Sequence, residues 1–97
     1  MSSNNDSKQK RQAQNSSVKK RTELFNELIL PNVNLVFRLA IRFTFHPQHI
    51  EENYNECLVN LFRYIHTYDR SKSLANWISI CCRRLIYDLN GKTLRWK

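Results

Sequence analysis

Two clusters of side chains have the types and the spacing to do chemistry. Glu52, Asn55 and Glu56 stand three and four residues apart, which places two carboxylates and a carboxamide on one face of a helix. Further on, Tyr68, Lys72, Ser73, Asn76 and Trp77 bring two aromatic rings, a cation and two small polar groups into one short segment, and Arg83 and Arg84 follow. Carboxylates in register suit docking against a basic surface. Aromatic rings beside cations and hydroxyls suit nucleic acid, whose bases stack and whose phosphates accept hydrogen bonds. Neither cluster is a catalytic constellation. No nucleophile stands beside a base, and no phosphate-binding glycine loop or carboxylate dyad is visible, so neither enzymatic activity nor a cofactor is expected.

Cys57, Cys81 and Cys82 are an odd number of thiols without metal-ligand spacing. His46 and His49 could join Cys57 at a metal ion, but exposed loop histidines beside a core cysteine are the simpler reading, and no metal is expected. Free, mostly buried thiols suit a reducing cytoplasm.

The charge is polarised. The chain has 97 residues and a formal net charge of +8, with basic segments at both ends and an acidic middle that holds Glu23, Glu27, Glu51, Glu52, Glu56 and Asp69. Nucleic acid is the natural partner of the basic parts, and the acidic centre calls for a different one. No uninterrupted apolar run approaches the roughly 18 residues of a membrane span, and the polar N-terminus lacks the apolar core of a secretory signal.

Helices must position both clusters. One Gly and two Pro, beside abundant Leu, Ile, Asn, Glu, Lys and Arg, favour helix over hairpins. Residues 1–17 are expected to form a disordered basic tail. A helical pattern then runs from about residue 18 to 44, interrupted at Pro31, as one kinked helix or two abutting ones. Ile50, Tyr54, Cys57, Leu58, Leu61, Phe62 and Ile65 mark the acidic helix, and Tyr68 to Ser73 a polar turn. The last helix is expected from about Leu74 to Leu89 or Asn90, with Trp77 or Ile78, Cys81, Leu85 and Leu89 as its apolar stripe and Gly91 as its stop. Residues 18–92 thus form one all-α domain of three or four helices, and residues 93–97 a short basic tail.

The stretch Ile50-Glu51-Glu52-Asn53-Tyr54-Asn55-Glu56, followed by Leu58, Leu61, Phe62 and Tyr68-Asp69, resembles the second conserved region of bacterial RNA polymerase sigma factors, especially the extracytoplasmic-function (ECF) type. Ser71-Lys72-Ser73 is similar to that family's Ser-Arg-Gly-Ser turn without the Gly. Trp77-Ile78, Arg83 and Asp88 fall at matching places, as do Leu24-Phe25, Pro31, Val33 and Leu39-Ala40-Ile41-Arg42 upstream. Asn53 stands where the family usually has an apolar residue, and Asn55 replaces its usual Gln.

The resemblance implies a sigma region-two-like domain in transcription initiation. Glu52, Asn55, Glu56 and Phe62 would dock on the coiled coil of the polymerase β′ clamp; the bland alternative is a solvated acidic face. Tyr68, Lys72, Ser73, Asn76 and Trp77 would meet the promoter −10 element, where strand opening needs a platform for a flipped base. Trp77 has a rival role as a core anchor. Arg83 and Arg84 would grip the displaced strand, although Arg83 could instead pair with Asp88 or Glu56, and Asp88 reads as structural. The upstream-reading domain of longer sigma factors has no counterpart in these residues, so a second chain is expected to supply it, as in split (co-sigma) systems, unless the chain is a minimal phage sigma or a truncated one. The implied setting is the cytoplasm of a bacterial or phage-infected cell. The alternatives are a small basic helical protein that binds nucleic acid without polymerase, and a module that sequesters another regulator.

Overall fold

Pro31 sets the first architectural event. Without an N–H, and with a ring that clashes with the preceding turn, it cannot continue an α-helix. Helix α1, residues 17–28, therefore stops just before it, and a 3-10 turn, Leu30–Asn32, leads into α2, Val33–Phe43. The Asn32 side chain donates to the Leu28 carbonyl (2.7 Å), which satisfies one of the acceptors that the broken helix leaves open. Of the two expected forms, the abutting pair is the one adopted.

The computed structural model describes residues 17–95, with side chains described through residue 91. Apart from Ser17, which is helical, the expected N-terminal tail lies outside the described residues. Thr44 turns extended after α2, and Pro47 opens a 3-10 turn, Pro47–His49, that runs into α3, Ile50–Tyr64. Glu51 and Glu52 lie in the first turn of α3, where the helix dipole favours acids. A further 3-10 turn, Ile65–Thr67, ends that helix. After the polar turn comes α4, Leu74–Arg95. The described residues form an all-α fold, as expected.

Helices α2, α3 and α4 pack pairwise around one core. It is built from Val36, Leu39 and Ala40 of α2, Cys57 and Leu61 of α3, and Ile78, Cys82 and Ile86 of α4, with Ile29 and Ile65 from the connections. Leu24, Phe25 and Leu28 bring α1 against this core. Residues Ser17–Phe43 include an 18-residue window of mean hydropathy 1.3, so length and composition alone would allow a membrane span. That corrects the impression left by uninterrupted runs. The same stretch is broken at Pro31 and gives Ile29, Val36, Leu39 and Ala40 to the core, and a core helix has that composition too.

Helix α4 departs from expectation in two ways. Its buried seam is Ile78, Cys82 and Ile86, one residue out of step with the expected Cys81, Leu85 and Leu89. Cys81 and Leu85 are half-buried beside it. The helix also runs on to Arg95 instead of stopping at Leu89 or Asn90, so the backbone of 93–95 is helical and not a tail. Gly91 does not take the left-handed conformation that would end a helix. Asn90 is buried and committed elsewhere: its Oδ1 accepts from the Phe45 N–H (3.2 Å), and its Nδ2 donates to the Phe43 carbonyl (2.8 Å). Asn53, the polar residue where an apolar one was expected, is buried and donates to Thr44 Oγ1 (3.0 Å). Both asparagines secure the α2–α3 connection.

Candidate nucleic-acid interface

The turn between α3 and α4 is held from within. Asp69 accepts from both the backbone N–H and the hydroxyl of Ser71 (3.0 and 2.8 Å), and its carbonyl accepts from the Lys72 N–H (3.0 Å). The Tyr68 hydroxyl donates to the Lys72 carbonyl (2.5 Å). Ser73 is the N-cap of α4: its hydroxyl oxygen accepts from the Asn76 N–H (3.3 Å), which leaves its own proton free to donate outward. Arg70 forms a two-pronged ion pair with Glu27 (3.0 and 3.4 Å) that ties the turn to α1. That contact lowers the Glu27 pKa and raises that of Arg70.

Hydrogen bonds from Ser71 likewise hold the Asp69 carboxyl below its ordinary value of 3.8. A carboxyl whose folded pKa is depressed adds stability above its unfolded value and gives it up as pH falls through the folded one. The Asp69 contacts therefore help to hold the turn at neutral pH and are lost as the pH falls through a value below 3.8. In an NMR titration the Ser71 amide proton is expected to shift with a midpoint below 3.8; a midpoint above it would mean the Asx contact is absent in solution.

A pocket of about 240 Å³ opens on this turn, lined by Thr67, Tyr68, Asp69, Lys72, Ser73, Asn76, Trp77 and Ile80. All five residues expected to meet nucleic acid at the turn share it. The Tyr68 and Trp77 rings lie 5.3 Å apart at 45°, so together they form an angled aromatic wall. Trp77 is half-buried and packs beside the core, and so it serves as anchor and as wall. Lys72, Ser73 and Asn76 are exposed at the rim. The arrangement offers a planar ring a stacking surface, with hydrogen-bond donors and one cation around it.

Arg83 and Arg84 lie outside this pocket. They are exposed further along α4, where with Tyr87 and Asp88 they line a second, shallower pocket of about 350 Å³. Among the described residues Arg83 pairs with neither Asp88 nor Glu56, because the ion pairs there are His49–Glu52 and Arg70–Glu27.

The acidic cluster is gathered in part. Glu52, Asn55 and Glu56 are exposed on one face of α3, and His49 Nδ1 stands 3.4 Å from the Glu52 carboxylate. Phe62 sits on the flank of that face, half-buried, with its ring edge-on to Phe25 of α1 at 5.8 Å. Val59, which sequence reasoning passed over, is 53% exposed at the centre of the face. Its spacing from Glu52, Asn55 and Glu56 was the available signal. His46 and His49 are half-buried, not exposed, and no group of three or more His, Cys, Asp or Glu among the described residues is arranged to hold a metal ion. The Cys82 thiol is pushed far up, first by its hydrogen bond with Cys57 and then by burial, and burial raises Cys81 too. Thiols so disposed are poor nucleophiles.

A family model described as sigma-70 region 2 matches residues 28–94. Neither the curated proteins nor the solved structures yield a match to the chain. The matched span starts at the last residue of α1 and takes in the core helices, the turn with its pocket, and the acidic face of α3. That span is well over half of the 97 residues, and the chain belongs to the sigma-70 region 2 family.

Proposed function

We propose that this protein is a sigma-type transcription-initiation factor of ECF character. It docks the exposed face of Glu52, Asn55, Glu56 and Val59 on the β′ clamp coiled coil of core RNA polymerase, with Phe62 at the flank. It presents the α4 turn pocket to the promoter −10 element in the cytoplasm of a bacterial or phage-infected cell. The observation that carries this reading is that Tyr68, Lys72, Ser73, Asn76 and Trp77 line one pocket. A base that leaves the duplex loses its stacking and pairing, and opening is favoured when the protein replaces both. The Tyr68–Trp77 wall replaces the stacking. Ser73 and Asn76 offer hydrogen bonds to the base edge, and Lys72 meets the adjoining phosphate. The resemblance puts Ser73 and Asn76 at places where primary sigma factors carry further aromatics, which leaves opening to this pocket.

The test is reconstitution with core RNA polymerase on a promoter fragment, reading capture of the enzyme and permanganate reactivity of −10 thymines. The wild-type chain is expected to give both. Trp77→Ala should keep polymerase capture and lower open-complex formation roughly five- to a hundredfold, the span expected for one lost stacking partner. A wild-type chain that neither binds core polymerase nor opens the promoter overturns the reading.

A further inference from the structure

The turn pocket is the beginning of a longer surface. The three- and four-residue spacing that joins Asn76, Trp77 and Ile80 continues through Arg84, Tyr87 and Gly91. That stripe lies on the side of α4 opposite Ile78, Cys82 and Ile86, so it faces outward along the helix. Tyr87 is 74% exposed, the most exposed of the large apolar side chains described, and with Arg83, Arg84 and Asp88 it shapes the second pocket. A large ring left in water between two arginines is not accounted for by packing. The Asp88 carboxylate is not neutralised by Arg84 one turn earlier, since neither ion pair of the described residues includes it. Gly91 sits in helical conformation with open space where a Cβ would be. A mid-helix glycine weakens the helix relative to alanine, and here it leaves the backbone bare at the end of the stripe.

We propose that α4 carries a second nucleotide subsite, where Tyr87 stacks an unpaired base and Asp88 accepts a hydrogen bond from the base's exocyclic amino group, favouring cytosine or adenine over thymine. This rests on the reading of the turn pocket as a nucleic-acid site and extends it along the helix. Arg83 and Arg84 hold the phosphates that flank the base, which offsets the repulsion between Asp88 and the strand. The carboxylate favours a base with an exocyclic amino group; at the matching position thymine carries the O4 acceptor, and its one donor, the ring N3–H, lies further along the edge. At about 1.5 Å per residue, Tyr87 lies roughly 15 Å along the axis from Trp77. A strand at about 3.4 Å per nucleotide covers that distance in roughly four or five nucleotides. One strand can therefore occupy both subsites at once.

The test uses the full chain at low salt with fluorescein-labelled single-stranded dC6 and dT6, read by anisotropy, with helix content checked by circular dichroism. The wild type is expected to bind dC6 at least threefold more tightly than dT6. Tyr87→Ala should weaken both roughly five- to a hundredfold, and Tyr87→Phe should keep both. Asp88→Ala should erase the preference for dC6 by strengthening dT6. If Tyr87→Ala stays within twofold while Trp77→Ala weakens binding, the second subsite is overturned and the turn pocket stands. A preference that is absent, or that survives Asp88→Ala, overturns the role of Asp88. A chain that captures core polymerase yet binds neither oligonucleotide overturns the subsite and leaves the polymerase reading in place.

Discussion

Reversing both carboxylates of α3 in one variant, Glu52→Lys with Glu56→Lys, is expected to abolish capture of core RNA polymerase and leave the fold intact. Both side chains are exposed, and of the two only Glu52 has an ion-pair contact among the described residues, the 3.4 Å approach of His49. Glu56 is an ordinary surface position, and Glu52→Lys gives up a favourable place in the first turn of α3 worth about 0.3–1 kcal/mol, so the melting temperature should fall by several degrees at most. Binding is another matter. Two cations placed against a basic helical surface turn attraction into repulsion at the centre of the face, beside Val59. Like charges set against each other across an interface cost several kcal/mol, so capture should weaken on the order of a hundredfold or more. The same change adds positive charge to a chain that already stands at +8. A basic protein that worked on nucleic acid without polymerase would then bind it as well or better. Pull-down of core polymerase, run beside anisotropy on labelled DNA, separates the two. Unchanged capture would remove the α3 face from the interface.

Local pattern made much of this molecule legible, and long-range pairing did not. The positions of Glu52, Asn55 and Glu56 follow from helical spacing alone, and all three do share an exposed face. The gathering of Tyr68, Lys72, Ser73, Asn76 and Trp77 is similar: ten consecutive residues across one turn and the start of a helix have few ways to spread apart. The register of α4 was harder, because Cys81-Cys82 and Leu85-Ile86 are adjacent apolar pairs. Periodicity allows either member to lead, and only packing against α2 and α3 selects Cys82 and Ile86. The ion pair of Arg70 with Glu27 joins residues 43 positions apart, and the bonds of Asn90 reach 45 and 47 positions back. A single chain of letters carries no mark of such partners. Asn90-Gly91 is ordinarily a helix stop, and it misleads here because the asparagine side chain serves the α2–α3 connection instead of its own helix end.

Asn90 is also a position where a single polar-to-apolar substitution should cost heavily. Its side chain is buried and supplies both halves of a backbone-like pairing, an acceptor for the Phe45 N–H and a donor to the Phe43 carbonyl. Leucine has nearly the same shape and no polar atoms, so Asn90→Leu keeps the volume and leaves both backbone groups without a partner. Loss of one partner from a buried pair costs about 1–3 kcal/mol, and here two groups in the same connection lose theirs, so a loss of roughly 2–4 kcal/mol is expected. For a domain of this size that is about 10–25 °C in melting temperature. In urea the midpoint should fall with little change in slope, since the surface exposed on unfolding is nearly unchanged. The damage should be local to function as well. The turn pocket is built from residues between Thr67 and Ile80 and does not include the α2–α3 connection, so below its lowered melting point the variant should still open promoters with core polymerase. A variant as stable as the wild type would mean that water replaces the asparagine, and that the α2–α3 connection is held mainly by Asn53 and Thr44.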